Sequence, residues 1–195
     1  MVIEVDQLID NYLIKYKGFI NKEKRFYAEQ NVDSDFVDIN LFSTSSDIPV
    51  FNIRRGEGTG LFKPAKYVLT DQQGNIARLE MLSYWKTHYQ CRHNYKVYDI
   101  YAHRGLKCSI FENRKQIAWW DKERINISYA DNYFMIANND VNQELLIAFC
   151  LAYDDYHFEP SDYRRHFIRD KIRISIGNIF FEKRKFDKNW KANKY

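Results

Sequence analysis

Apolar and polar residues alternate over most of this chain in short runs broken by turn residues. "DFVDINLFS" (35–43) places Val37, Ile39 and Leu41 on one face, the period of a half-buried strand. "YLIKYKGFI" (12–20) and "KRFYAEQ" (24–30) flank a polar turn, and "IPVFNIRR" (48–55) leads into a glycine cluster. "KYVLTDQQGNIARLEML" (66–82) reads as a hairpin over "DQQGN", because Gly and Asn tolerate the positive φ of tight turns. "SYWKTHYQCRH" (83–93) and "YKVYDIYA" (95–102) continue the pattern. "LKCSIFENRKQIAWW" (106–120) turns over "ENRK", and "RINISYADNYFMIAN" (124–138) is expected to turn over "ADN". Many short strands joined by tight turns predict an antiparallel sandwich or barrel.

One segment breaks the rhythm. In "NQELLIAFCLAYDDYHFE" (142–159), the nine residues from Leu145 to Tyr153 carry no charge. Asp140 with Gln143 three residues on has capping-box spacing, so a helix is expected near 142–154. A helix apolar on every side has to be buried. A span of nine helical residues covers roughly 14 Å, about half a bilayer, so protein rather than lipid has to surround it. A closed barrel around a central helix satisfies both patterns and leaves no sheet edge. A buried strand, or a helix laid across a sandwich, also accommodates the segment.

Composition sharpens this reading. The 195 residues suit one domain, and 14 Phe, 15 Tyr and 4 Trp favour pleated surfaces. Seven Gly and three Pro leave little room for long linkers. The acidic start "MVIEVDQLID" lacks the layout of a secretory signal. The three cysteines, Cys91, Cys108 and Cys150, are odd in number and far apart, which fits reduced thiols. The expected location is cytoplasmic.

Charge divides the chain in two. From Tyr163 onward there are 11 Lys/Arg against three acids, a balance of +8, whereas residues 1–162 carry 19 bases against 23 acids. We therefore expect a barrel over 1–160 and a basic, aromatic extension over 161–195, which a terminal hairpin or a helix over 161–171 would suit equally. The candidate anion-binding residues are Arg164, Arg165, Arg169, Lys171, Arg173, Lys183, Arg184, Lys185 and Trp190. Clustered bases attract phosphate on lipid or nucleic acid, and interleaved aromatics stack or sit at an interface.

Catalytic and metal signatures are thin. "RRGEGTG" (54–60) lacks the Gly-Lys-Ser/Thr of a phosphate loop, and "HRGLKCSIFEN" (103–113) has Gly105 where a kinase needs aspartate. His88, Cys91, His93, His103 and Cys108 are metal-ligand types, but on one strand His88 points away from Cys91 and His93. Cys150 is expected to be an inert buried thiol. Asp154 and Asp155 are expected to end the helix and face water. No cofactor is expected.

"YVLTDQQGNIARLEM" resembles the strand–turn–strand element of tubby C-terminal-like proteins, the superfamily of LURP-one-related proteins and phospholipid scramblases. "CSIFENRKQIAWWDKE", "RINISYADNYFMIANND" and "NQELLIAFCLAYDD" are similar to its closing order of hairpin, strands and hydrophobic helix. The resemblance spans about residues 45–155. It implies a twelve-stranded barrel around a central helix, and a lipid binder or tether rather than an enzyme. The chain departs from the family by continuing about 40 residues past the helix, and by lacking a counterpart of the paired bases that hold phosphoinositide headgroups. The resulting expectation is a non-enzymatic binding or scaffold protein that contacts anionic membrane lipid through its basic extension. Nucleic acid is the alternative partner, and a protein partner of unknown identity the next.

Overall fold

In a computed structural model, residues 1–10, 13–31, 37–56, 66–83, 87–103, 107–125, 130–157, 187 and 189–193 are described. Among them are twelve strands and one helix. The strands are β1 (Val2–Asp10), β2 (Leu13–Ile20), β3 (Glu23–Asn31), β4 (Asp38–Ser43), β5 (Pro49–Arg55) and β6 (Lys66–Asp71). They continue as β7 (Ile76–Ser83), β8 (His88–His93), β9 (Lys96–Ala102), β10 (Lys107–Glu112), β11 (Lys115–Ile125) and β12 (Ala130–Ala137). The helix is α1 (Gln143–His157).

Each strand pairs antiparallel with its neighbours in sequence, and β1 pairs with β12, so the sheet closes into a barrel. Closure satisfies the edges that an open sheet would leave unpaired. Two ends follow from this meander. The β2–β3, β4–β5, β6–β7, β8–β9 and β10–β11 turns and the β12–α1 link share one end, here the hairpin end. The other connections share the far end.

Local chemistry explains the turns. Asp71 Oδ1 accepts from the backbone N–H of Gln73 at 3.0 Å and of Asn75 at 2.8 Å, while Gly74 takes φ +80°. The "DQQGN" hairpin is therefore as expected. The "ADN" turn is not: Ala130 to Asn132 already belong to β12, and Ile125 pairs with Ala130, so the connection is 126–129. β1 goes beyond the sequence expectation, which assigned 1–10 no element, although Ile3, Val5 and Gln7 alternate inward.

Period-two burial runs around the sheet. Ile39 and Leu41 on β4, Phe51 and Ile53 on β5, and Leu79 and Met81 on β7 are all buried. Val37 is buried with them, as the alternation in "DFVDINLFS" requires. Helix α1 starts near the position expected, but its N-cap is Asn142 rather than Asp140. The Asn142 Oδ1 accepts from the Leu145 N–H at 2.7 Å. All residues from Leu145 to Asp155 are buried. Phe149 packs on Tyr98 of β9, and Tyr153 meets both Tyr89 of β8 and Trp120 of β11 edge-on. On β2, a Cβ at Gly18 would sit 3.0 Å from Phe26 Cβ on β3, a tight approach, and 3.6 Å from Ile147 Cδ1 of the helix, an ordinary contact. A barrel of eight strands is filled by side chains alone, whereas twelve strands enclose a wider space.

Candidate functional site

The densest polar constellation lies where α1 ends. Asp154 and Asp155 are 0% and 3% exposed, which corrects the expectation that they face water. Both acids lie in the last turns of α1, whose residues are buried through Asp155, so the helix end takes the pair out of water. A buried carboxylate has to be compensated by hydrogen bonds or opposite charge.

Asp154 accepts from Gln7 Nε2 at 2.6 Å, from Tyr16 OH at 2.9 Å and from Tyr133 OH. Lys122 Nζ lies 3.1 Å from Asp154 Oδ1 and 2.5 Å from Asp131 Oδ2. Asp155 accepts from Tyr67 OH at 2.7 Å, from Gln30 Nε2 at 2.8 Å and from Arg55 at 3.4 Å. Gln7 in turn accepts from the Asp131 N–H at 3.2 Å.

Protonation follows from this geometry. Burial, then the neighbouring Asp154, pushes the hydroxyls of Tyr16 and Tyr133 well above the usual phenol range; burial and Asp155 do the same for Tyr67. These phenols therefore stay protonated and donate. Burial alone would lower Lys122, but the charges of Asp154 and Asp131 outweigh it and raise it above 10.5. Burial raises Asp155 above 3.8 despite Arg55, Tyr67 and Gln30. Acid–base catalysis needs a carboxyl within reach of substrate. This pair is sealed from solvent, and its chemistry is to tie the helix end to seven strands.

Sequence reasoning missed the partners of these acids, although a signal was present. Gln7 is in phase with Ile3 and Val5, Gln30 with Phe26 and Ala28, and Lys122 with Ala118 and Trp120. A polar residue on the inward phase of a strand marks a buried partner.

Other candidates are dispersed. Cys91 and His93 face inward on β8, while His88 Nε2 lies 2.8 Å from Asp99 Oδ1 and the ring stacks on Tyr101. His103 lies 2.9 Å from Ser109 Oγ, and burial lowers its pKa to about 4. No three His, Cys, Asp or Glu gather as a metal site among the described residues. In "RRGEGTG", Arg55 turns toward Asp155 and the Gly56 N–H donates to Lys66 O at 2.8 Å. An open cleft of about 310 Å³ at the hairpin end is lined by Ile20, Arg25, Phe26, Ser43 and Gln143.

Of the expected anion-binding residues, Arg164, Arg165, Arg169, Lys171, Arg173, Lys183, Arg184 and Lys185 lie outside the described residues. Trp190 is described and half-buried. The last described stretch meets the hairpin end, where the Asn193 N–H donates to Asn138 Oδ1 at 2.8 Å.

Compared with protein-family models, curated proteins and solved structures, the chain gives no significant match in any of the three.

Proposed function

We propose that the chain is a tubby-like, non-enzymatic binding module, with α1 as the axial core of its barrel, that docks on anionic membrane lipid through residues 161–195. One observation carries the reading: from Tyr163 onward the chain is +8, whereas residues 1–162 are net −4. A basic group near an anionic membrane surface contributes about 1 kcal/mol, so several acting together give reversible attachment. Trp190, a half-buried residue of this segment, is of a type that favours the headgroup level. The filled interior is consistent with a ligand that binds outside: Phe149, Trp120, Tyr67, Tyr89 and Tyr133 are fully buried, and Lys122, Asp154 and Asp155 are compensated within the barrel. Anionic lipid is concentrated on the cytoplasmic leaflet, which fits a cytoplasmic protein.

Co-sedimentation of the full chain with phosphatidylserine-containing vesicles tests this, with neutral phosphatidylcholine vesicles as control. Wild type should sediment with the anionic vesicles and release with added salt. A chain with Arg164, Arg165, Arg169, Lys171 and Arg173 all changed to Gln should lose most of that binding. Failure of wild type to sediment at low salt removes the reading. Steeply salt-dependent capture of a single-stranded oligonucleotide instead would favour the nucleic-acid alternative.

A further inference from the structure

The hairpin end carries an unusual set of turns. Ile20 pairs with Glu23, His93 with Lys96 and Glu112 with Lys115, so Asn21-Lys22, Asn94-Tyr95 and Asn113-Arg114 are two-residue turns. Both residues of each have positive φ, with Lys22 at 73°, Tyr95 at 62° and Arg114 at 73°. Such turns favour Asn followed by Gly, because the second position is strained for any residue with a Cβ. Six of the seven non-glycine residues with positive φ among the described residues sit in these three turns. Three times at one end, the chain keeps a long cationic or aromatic side chain where glycine would fit better.

What is displayed is consistent. Around the rim, the β4–β5, β6–β7 and β8–β9 tips are successive. Ile48, Ile76 and Tyr95 belong to them in that order and are 66%, 61% and 108% exposed. The first two tips are joined, since Gln72 Nε2 donates to Ile48 O at 3.3 Å. Basic tips flank this apolar row on both sides: Lys22 and Lys24 on β2–β3, Arg114 and Lys115 on β10–β11, all exposed. These four make no salt bridge among the described residues, whereas Arg25 pairs with Glu23 and Lys96 with Glu112. Asp47 is the exposed acid within the row. Large apolar residues set in a cationic rim are what an anionic bilayer surface accepts: side chains enter the headgroup layer while Lys and Arg meet phosphate.

We infer that the hairpin end is a membrane-docking face, in which Ile48, Ile76 and Tyr95 enter the headgroup layer of an anionic bilayer and Lys22, Lys24, Arg114 and Lys115 meet its phosphates. This rests on the membrane reading above and gives it a second contact, on the barrel itself. The open cleft beside Arg25 is at this same end and has room for a headgroup. Trp190 belongs to the stretch that returns there through Asn193.

The test uses the full chain and vesicles of phosphatidylcholine with one quarter phosphatidylserine. One variant carries Ile48→Ser, Ile76→Ser and Tyr95→Ser; a second carries Lys22→Gln, Lys24→Gln, Arg114→Gln and Lys115→Gln. Each should weaken vesicle binding at least tenfold with an unchanged urea midpoint, and the second should also flatten the salt dependence. Tyr95→Cys labelled with an environment-sensitive maleimide should shift to the blue on anionic vesicles. Wild-type binding with both variants undiminished, or without a blue shift, overturns the docking face while leaving attachment through 161–195 standing. No wild-type binding to any vesicle, or capture of oligonucleotide only, overturns both.

Discussion

Asp154 and Asp155 are neighbours in the chain but bind different arcs of the barrel. Asp154 is held by Gln7, Tyr16, Lys122 and Tyr133, from β1, β2, β11 and β12. Asp155 is held by Gln30, Arg55 and Tyr67, from β3, β5 and β6. The first arc includes the β1–β12 seam, the pairing that joins the beginning of the sheet to its end. A single helix terminus thus ties together the strands at the seam and the arc that follows them, β3 to β6.

Removing one half of this clamp should be costly. Asp154→Ala takes the carboxylate acceptor from Gln7 and Tyr133, leaves Tyr16 with only Gln30 Oε1 at 3.3 Å, and leaves Lys122 with Asp131 alone. Breaking a buried ion pair from one side costs about 3–5 kcal/mol. Urea unfolding should show a lower midpoint with an unchanged slope. Adding Lys122→Met should recover part of the loss, since the stranded cation goes with it. A cost below about 1 kcal/mol would mean that the helix end is anchored by other contacts.

Asp155 predicts a pH dependence. Its folded pKa is raised above 3.8, chiefly by burial. The stability linked to its titration is therefore present below about 3.8 and is lost as pH rises through the folded value, because the unfolded carboxyl ionises first. Asp155→Asn removes this titration. The stability difference between wild type and Asp155→Asn should shrink as pH climbs from 3.8 toward neutrality. Urea midpoints measured across that range check it, and a difference that grows with pH would reverse the assigned direction.

The cysteines should be silent. Burial pushes Cys91 and Cys108 up to about 12, and Cys150 is raised well above its usual value by burial and then Asp154. All three are buried and free. Thiolate is the reactive form, so a maleimide reagent should modify none of them in the native protein and all three after denaturation. Rapid labelling of Cys150 in native buffer would show that α1 leaves its buried position.

Strand positions were legible because alternation and turn chemistry are local. The run around Val37, Ile39 and Leu41 encodes its own buried face, and Asp71 with Gly74 encodes its own turn. The helix was legible because nine uncharged residues fit no half-exposed strand. The acid clamp was not, because its parts lie far apart in sequence. Gln7 and Asp154 are 147 residues apart, and only closure of β1 on β12 brings them together. The cap was misplaced by two residues because Asp140 and Asn142 are both good capping types, and local sequence does not choose between them. Exposure of Ile48, Ile76 and Tyr95 at one end likewise depends on the meander order, which no single hairpin contains.

The three strained turns offer a test in which stability and binding move in opposite directions. A left-handed backbone costs a residue with a Cβ roughly 1–2 kcal/mol, and glycine returns part of that through its larger unfolded-state entropy. Lys22→Gly, Tyr95→Gly and Arg114→Gly should therefore each stabilise the barrel by roughly 0.5–1 kcal/mol, a rise of about 1–4 °C in Tm. The same three changes should weaken binding to anionic vesicles, because each deletes a side chain of the docking face. Thr87, also at positive φ but at the far end, supplies the control: Thr87→Gly should leave vesicle binding unchanged. If the hairpin-end glycines stabilise the protein and vesicle binding stays at the wild-type level, the strained residues have no role at the membrane. If they destabilise it, Lys22, Tyr95 and Arg114 are held by packing rather than displayed to solvent.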